Sequence, residues 1–352
     1  MKKIVVSTFN NSDNNYGALL QSCALSRFLS DLGYQPSYVT LRSRDHRRSA
    51  KTALKIWVKR ALTWRRSRLY RIRREKMRAF AAGTQNQLLY ENERELFADP
   101  PAADVYLSGS DQVWSPVNPR EDLFLAYAPE GAKKISYAAS MGSEEIPPEA
   151  EAKFAGFIQS YAHVSVREDT MIPVLRPYTE KEIVQNIDPV FLLTRDQWRS
   201  YEEPYAGLKQ KRYILAYLLW WDKKLDERLE ELKRRTGLPV VLVNPGNLPK
   251  VKAERILFDA SPGEYLSLLN GAEYVVSSSF HGIAMAMVYN KNLLAVISGH
   301  KTNRILSLLR HFGLSAGDRP IVELSEGDYP PINRIIEEDR TAASSYLTRA
   351  IG

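Results

Sequence analysis

Two rhythms of apolar residues alternate along the chain. Short buried-type runs end in serine, glycine or asparagine, and between them apolar positions recur three and four apart, the spacing of one helix face. Residues 3–8 read as a strand, 9–16 as a polar loop and 17–32 as a helix that stops before Gly33. Leu19, Leu20, Ala24, Leu25, Phe28 and Leu29 form its apolar stripe. Further strands are expected at 35–41, 103–108, 134–139, 163–166 and 184–187, each closed by a polar or glycine turn. Strands alternating with helices predict a mostly parallel sheet.

The plan then repeats. Residues 194–211 are polar, carry Pro204 and read as a linker. Strands follow at 213–219, 239–243, 274–277 and 293–297, with helices at 222–236, 263–270, 282–289 and 303–312. The expected fold class is α/β: two Rossmann-type doubly wound domains, 1–195 and 212–330, facing an interdomain cleft. The tail at 331–352 is expected to be a helix that packs back on the first domain. An insert at about 42–90 interrupts the first domain and reads as helical from about 50 to 81, with Leu54, Trp57, Val58, Ala61 and Leu62 along one side.

At 352 residues the chain suits two cores better than one. Met1-Lys2-Lys3 runs straight into a short strand, unlike a signal peptide, and no apolar run approaches the roughly 18–20 residues of a membrane-spanning helix. A cytoplasmic protein is expected. Cys23 is alone, which leaves neither a disulfide framework nor a cysteine zinc site, and its setting reads as a packed helix face. The net charge of +8 is concentrated: residues 42–78 hold 16 Lys and Arg against Asp45 and Glu75, so the rest of the chain is net acidic.

The richest stretch for chemistry is Tyr274-Val275-Val276-Ser277-Ser278-Ser279-Phe280-His281-Gly282. It predicts strand, tight turn and helix, with His281 where a strand ends and a helix begins. Ligands of open α/β sheets bind outside such strand ends, and free N–H groups at a helix start favour phosphate or carboxylate. His281 is therefore a candidate acid or base beside an anion site that includes Ser279 and Gly282. A core histidine bonded to a carbonyl is the competing reading. Gly109, Ser110 and Asp111 follow another strand and place a carboxylate at its end; a turn capping a helix would use the same residues. Arg167 ends the strand at 163–166, where a guanidinium can take an anion bidentately. A surface pairing with Glu168 or Asp169 is its alternative. Lys301, Asn303 and Arg304 open the helix after the 293–297 strand and can supply cations to the same cleft, or simply be solvated. The other histidines are weaker candidates: His46 lies in the basic insert, His163 starts a strand, and His311 lies on a helix with no evident partner. No GxGxxG, Walker-type loop, HExxH or metal-spaced cluster is present, so no metal or nicotinamide cofactor is expected.

These segments together resemble the polysaccharide pyruvyl transferase family. The matching pieces are Asn15-Tyr16-Gly17-Ala18-Leu19-Leu20-Gln21, Gly109-Ser110-Asp111-Gln112-Val113-Trp114 and Ser136-Tyr137-Ala138-Ala139-Ser140-Met141-Gly142. Val166-Arg167-Glu168, Asp188-Pro189-Val190, Ser279-Phe280-His281-Gly282 and Asn303-Arg304-Ile305 follow in order. The resemblance implies a GT-B-like fold and an enzyme that moves a pyruvyl group from phosphoenolpyruvate to two hydroxyls of a sugar, forming a ketal. It implies His281 and Asp111 as catalytic residues. Asn15, Gly17, Gly109, Ser110, Arg167, Ser279, Gly282, Lys301, Asn303 and Arg304 would bind substrate. Phosphoenolpyruvate serves as donor substrate with no separate cofactor, and the acceptor is a glycan, lipid-linked in one version. Many members carry Gly-Asp in the first turn, where this chain has Gly17-Ala18.

Other functional classes stay open at this point. A glycosyltransferase using a nucleotide sugar would share the architecture and would also use Arg167 and Arg304. The basic stretch, with Trp57, Trp64 and Tyr70 interleaved, suits an anionic membrane surface or a nucleic acid. The membrane is favoured over nucleic acid because of the family resemblance, which places the protein peripherally at the inner membrane face. A solvated helical hairpin over the acceptor cleft is the third reading of that stretch.

Overall fold

The computed structural model describes residues 1–42, 64–117, 119–143, 145–219, 223–243, 252–297, 302–316 and 321–352. Lys301 and residues 43–63 of the basic insert lie outside them, and with them the apolar side expected from Leu54 to Leu62.

The first half opens with β1 (Lys3–Ser7), α1 (Tyr16–Asp31), β2 (Gln35–Leu41), α2 (Trp64–Thr84), β3 (Gln87–Tyr90), α3 (Glu93–Ala98) and β4 (Val105–Ser108). It continues with β5 (Lys134–Ser136), α4 (Pro148–Gln159), β6 (Val164–Val166), α5 (Met171–Leu175), β7 (Ile183–Gln185) and α6 (Arg195–Arg199). Its five-stranded sheet is parallel, in the order β3-β2-β1-β4-β5. Isolated bridges from Ile135 to His163 and from Ala139 to Val166 extend it to the β6–β7 pair.

The second half contains β8 (Ile214–Tyr217), α7 (Lys223–Thr236), β9 (Val240–Val243), β10 (Arg255–Leu257), α8 (Pro262–Gly271) and β11 (Tyr274–Ser277). After these come α9 (Phe280–Val288), β12 (Asn292–Val296), α10 (Thr302–His311), β13 (Ile321–Leu324) and α11 (Tyr329–Ile351). The strand order is β10-β9-β8-β11-β12-β13, with only β13 antiparallel to its neighbour. Each sheet thus reverses its winding at one point, between β1 and β4 and between β8 and β11. Helices α1 and α9 begin close to those two points.

The elements follow from the pattern. Strands β4, β8 and β9 are buried along their length, as runs covered on both faces must be. Helix α7 buries Leu225, Leu229 and Leu232 and turns its charged residues outward. Strands β3, β10 and β13 were not anticipated. They are short and carry exposed or half-exposed positions such as Leu89, Arg255 and Glu323, so their alternation is weak. Within the expected linker, Thr194 and Gln197 form a capping box that starts α6, and buried Trp198 donates its Nε1–H to the Val190 carbonyl at 2.9 Å.

One apolar core runs through both halves, from Ile4 and Leu20 to Leu266 and Met285. At its centre Tyr16 of α1 stacks on Tyr265 of α8, with ring centroids 4.8 Å apart, and tilts against Tyr217. Helix α11 returns from β13 across the first half. Tyr346 donates its hydroxyl to the Ser136 carbonyl at 2.8 Å, and Arg340 donates to the carbonyls of Phe191 and Leu193.

The basic helix α2 is not a uniformly solvated face. Arg73, Met77 and Ala81 are buried at helical spacing. Lys76 pairs with Glu264 of α8 at 2.7 Å, Tyr70 meets Phe258 edge-on, and Arg73 bonds Asn14 in the loop after β1. Part of the charge serves to bridge the two halves. No helix among the described residues is long and apolar enough to cross a membrane.

Candidate active site

Two helix starts from opposite halves face each other. In the second half, Ser279 caps α9 by accepting the Gly282 N–H at 3.4 Å. Gly282 has no room for a side chain: a Cβ there would strike Ser277 Oγ and the Tyr217 ring, so the helix can sit directly on the strand ends. In the first half, Asn15 caps α1 by accepting the Ala18 N–H at 3.3 Å. Gly17, in the first turn, lies against His281, and a Cβ at Gly17 would overlap Nδ1 and Cγ of the imidazole. Gly17 is thus the packing surface for the histidine of the other half.

His281 is buried, with Nε2 3.4 Å from Oδ2 of Asp188. That separation is long for a hydrogen bond, and Nε2 has no hydrogen-bond partner among the described residues. Asp188 is the hub of the site. Its Oδ2 accepts Arg167 Nη1–H at 2.7 Å and the Ser110 hydroxyl at 3.2 Å, while Oδ1 accepts the Val190 N–H at 3.1 Å. Burial alone would raise the Asp188 pKa. His281 and Arg167 beside it outweigh that and hold the carboxyl well below the usual carboxylate range.

Arg167 is buried too, with its side chain 3% exposed. It donates Nε–H to Glu168 at 2.9 Å, and its guanidinium lies 4.3 Å from the Phe280 ring centroid. Burial works against its charge, yet Glu168 and Asp188 raise its pKa above the ordinary arginine value. The pairing with Glu168 expected of a surface arginine does form, but inside the protein. Arg304 of α10 approaches from the other half, with Nη1 3.8 Å from Asp111 Oδ1. Burial, followed by repulsion from Arg167, lowers the Arg304 pKa. Asp111 holds a left-handed backbone, φ 73°, and is buried against this arginine. Such a conformation costs about 1–3 kcal/mol in a non-glycine residue, and aspartate tolerates it better than most. Gly109 packs on the side chain of Thr8.

Arg167, Asp188, Phe280, Arg304, Ser307 and His311 line one small cavity of about 30 Å³. His281 is not among its lining residues but faces Asp188, which is. Arg167 Nη2 and Arg304 Nε are buried without a hydrogen-bond partner among the described residues. An orphaned buried donor costs about 1–3 kcal/mol, more when charged, so two guanidinium N–H groups left open at one cavity are a cost that the apo fold carries there.

Several expectations change here. Asn303 is exposed on α10 and does not line the cavity. Lys301 lies outside the described residues. His311, read without a partner, bonds Asp339 of α11 through Nε2 at 2.7 Å and lines the cavity. Asp188 was read only as a strand exit and a motif piece. Its local signals are the proline after it and its own cap on the Val190 N–H, while its side-chain partners are 21, 78 and 93 positions away. Cys23 is buried, which pushes its thiol up to about 12, and it packs in the core. No group of metal-ligating side chains is found among the described residues.

The sequence profile of the family described as polysaccharide pyruvyl transferase matches residues 15–300. Comparison with curated proteins gives no significant match by sequence. Among solved structures, the chain is similar to UDP-GlcNAc 2-epimerase from Methanocaldococcus jannaschii in complex with UDP-GlcNAc and UDP. The TM-score is 0.52 at 10% identity, covering 99% of this chain and 98% of that one. A second structure of that epimerase gives 0.50 at 12% identity, covering 96% and 99%. An alpha-glucosyltransferase in complex with UDP gives 0.48 at 10% identity, covering 99% and 95%. Identities this low speak to fold, and the fold is GT-B-like: two Rossmann-like halves about a cleft.

Proposed function

The chain belongs to the polysaccharide pyruvyl transferase family, a family of transferases, and from that premise we propose that its donor is phosphoenolpyruvate and its product a sugar ketal. The observation that carries this reading is the set of open, buried N–H groups on Arg167 and Arg304, contributed by opposite halves. The donor bears a phosphate and a carboxylate, and two guanidinium groups are matched to two such anions. No separate cofactor enters the reading.

In this reading the donor's methylene carbon takes a proton, leaving positive charge on the carbon that carries the phosphate. One sugar hydroxyl adds there and gives up its proton. A second hydroxyl then displaces phosphate, and its proton leaves with that group. His281 is the proton handler, a role worth roughly 10²–10⁴-fold. Asp188, held ionised, stabilises the imidazolium and orients the ring. The space between Arg167 and Arg304 is small, about 30 Å³, and in this reading α10 moves outward to admit the donor and bring it to His281. Ser279 and Gly282 set the helix start beside it, and Asp111 holds Arg304 until the donor arrives.

Calorimetry with phosphoenolpyruvate, and separately with UDP- and GDP-sugars, tests the donor. Binding of phosphoenolpyruvate that weakens in Arg167→Lys and Arg304→Ala is expected, because an ammonium cannot reproduce the fork of a guanidinium. Unchanged affinity in both variants, or preference for a nucleotide sugar, would sink the assignment. Mass spectrometry of a glycan incubated with the donor should show the added ketal.

A further inference from the structure

The cavity that holds Arg167 and Arg304 is lined by more negative than positive side chains. Glu168, Asp188 and Asp339 set three carboxylates against those two guanidinium groups. Arg304 also faces Asp111. A dianion entering this space meets an excess of negative charge unless one more cation is present. Among the described residues, His311 is the lining side chain that can gain a positive charge near neutral pH.

Its place suits that task. His311 lies seven positions after Arg304 on α10, so the two share the face that also presents Ser307 and Leu308 to the cavity. It is the last residue of that helix, where unpaired carbonyl groups favour a cation. Its Nε2 lies 2.7 Å from Oδ2 of Asp339 on α11. The two side chains are 28% and 18% exposed, so water screens them only in part. Asp169, beyond β6, is a second carboxylate near the imidazole. It is shared with Arg310, the cation next to His311 on its own helix. A charged imidazole cancels the Asp339 carboxylate, whereas a neutral one leaves that carboxylate facing the anion.

We propose that His311 is an anion-binding residue of this cavity, that it acts in its protonated form by neutralising Asp339, and that donor binding draws a proton onto it. The proposal rests on the donor reading above for the identity of the anion, and adds to it a residue and a proton. Calorimetry from pH 6 to 9 tests it with phosphoenolpyruvate and with sulfate, which keeps both charges throughout. Wild-type affinity for sulfate should fall about tenfold as pH rises, the equivalent of one pKa unit between the free and bound imidazole. His311→Gln keeps a hydrogen-bond donor for Asp339 but carries no charge. It should bind sulfate about tenfold more weakly than the parent at pH 6 and approach it at pH 9. His281 and the donor's own phosphate titrate in both chains, so the same comparison serves for phosphoenolpyruvate. Asp339→Asn removes the carboxylate itself and should bind sulfate more tightly than the parent at pH 9. Neither misfolding nor the loss of a structural tie produces such a gain. Wild-type binding heats in two buffers of different ionisation enthalpy should show proton uptake around pH 8. Equal pH dependence in wild type and His311→Gln, no gain in Asp339→Asn, or no proton uptake would each overturn the proposal. So would a wild type that binds neither anion at pH 6. Sulfate binding with this pattern and no competition from phosphoenolpyruvate would count against the donor reading and leave His311 in place. Phosphoenolpyruvate binding without the pattern would do the reverse.

Discussion

Single residues decide whether the site is catalytic or merely well packed. His281→Ala should keep the fold and lose at least tenfold in transfer, since general acid–base catalysis contributes roughly 10²–10⁴-fold; a smaller loss removes His281 from the chemistry. Asp188→Asn is a different test, because Asp188 reaches the donor chiefly through His281. It should change the pH profile of turnover as well as its height, whereas a purely structural aspartate would lower activity at every pH alike. Its folded pKa is depressed, so its stabilising effect is present above the unfolded value of about 3.9 and is lost as pH falls through the depressed one. The variant should therefore be less stable than the parent at neutral pH, and the gap should close in acid. Gly17→Ala adds one methyl group where the imidazole of the other half already lies. Turnover should collapse while phosphoenolpyruvate binding, which depends on Arg167 and Arg304, falls far less.

At the scale of elements, much of this layout was legible and the gaps have physical causes. The β11–α9 junction declared itself because an apolar run, three serines and a helix-spaced stretch are local signals. Arg167 and Arg304 were legible as cations after strand ends. Asp188, the His311–Asp339 pair and the burial of Arg73 were not, because each depends on a partner brought close only by tertiary folding. Helix α10 shows how such contacts work as a unit. Arg304 faces Asp111, while Ser307 and Arg310 both reach Asp169, at 2.7 and 3.2 Å, so its exit from the cleft must break contacts to the first half. Asp169→Ala should raise both the association and dissociation rates of phosphoenolpyruvate in stopped-flow fluorescence. Rates that do not move would show that α10 is not what gates entry. Helix α2 needs a matching revision. Reversing Arg73 to Glu should unfold the interface it is buried in, so it cannot test membrane docking. Arg68 and Arg71 are exposed, and their reversal should weaken sedimentation with anionic liposomes at unchanged stability if the basic stretch docks there. Equal sedimentation before and after would return these charges to solvent.

At the scale of the whole molecule, the contacts that join the two halves outside the candidate site include, among the described residues, the aromatic stack of Tyr16 and Tyr265, the bridge of α2, and the return of α11. The last of these has a titratable link. His311, at the end of α10, bonds Asp339 on α11, and that carboxylate, with a smaller effect from Asp169, outweighs burial and raises the histidine's pKa. Burial is what limits the shift. With a raised folded pKa, His311 stabilises the fold fully below its unfolded value of about 6.5 and loses that contribution as pH rises through the higher folded value. Lys291 works in the opposite sense: burial pushes it down to about 8, so folding gains as pH rises past that value, and this is common to parent and variant. The difference between wild type and His311→Gln therefore isolates the histidine. Urea midpoints measured from pH 6 to 9 should show the wild type more stable at pH 6, with the two converging on the alkaline side. A constant offset would mean that His311 contributes by packing alone. A gap that widened with pH would mean that the imidazole is buried neutral and that Asp339 does not hold its proton.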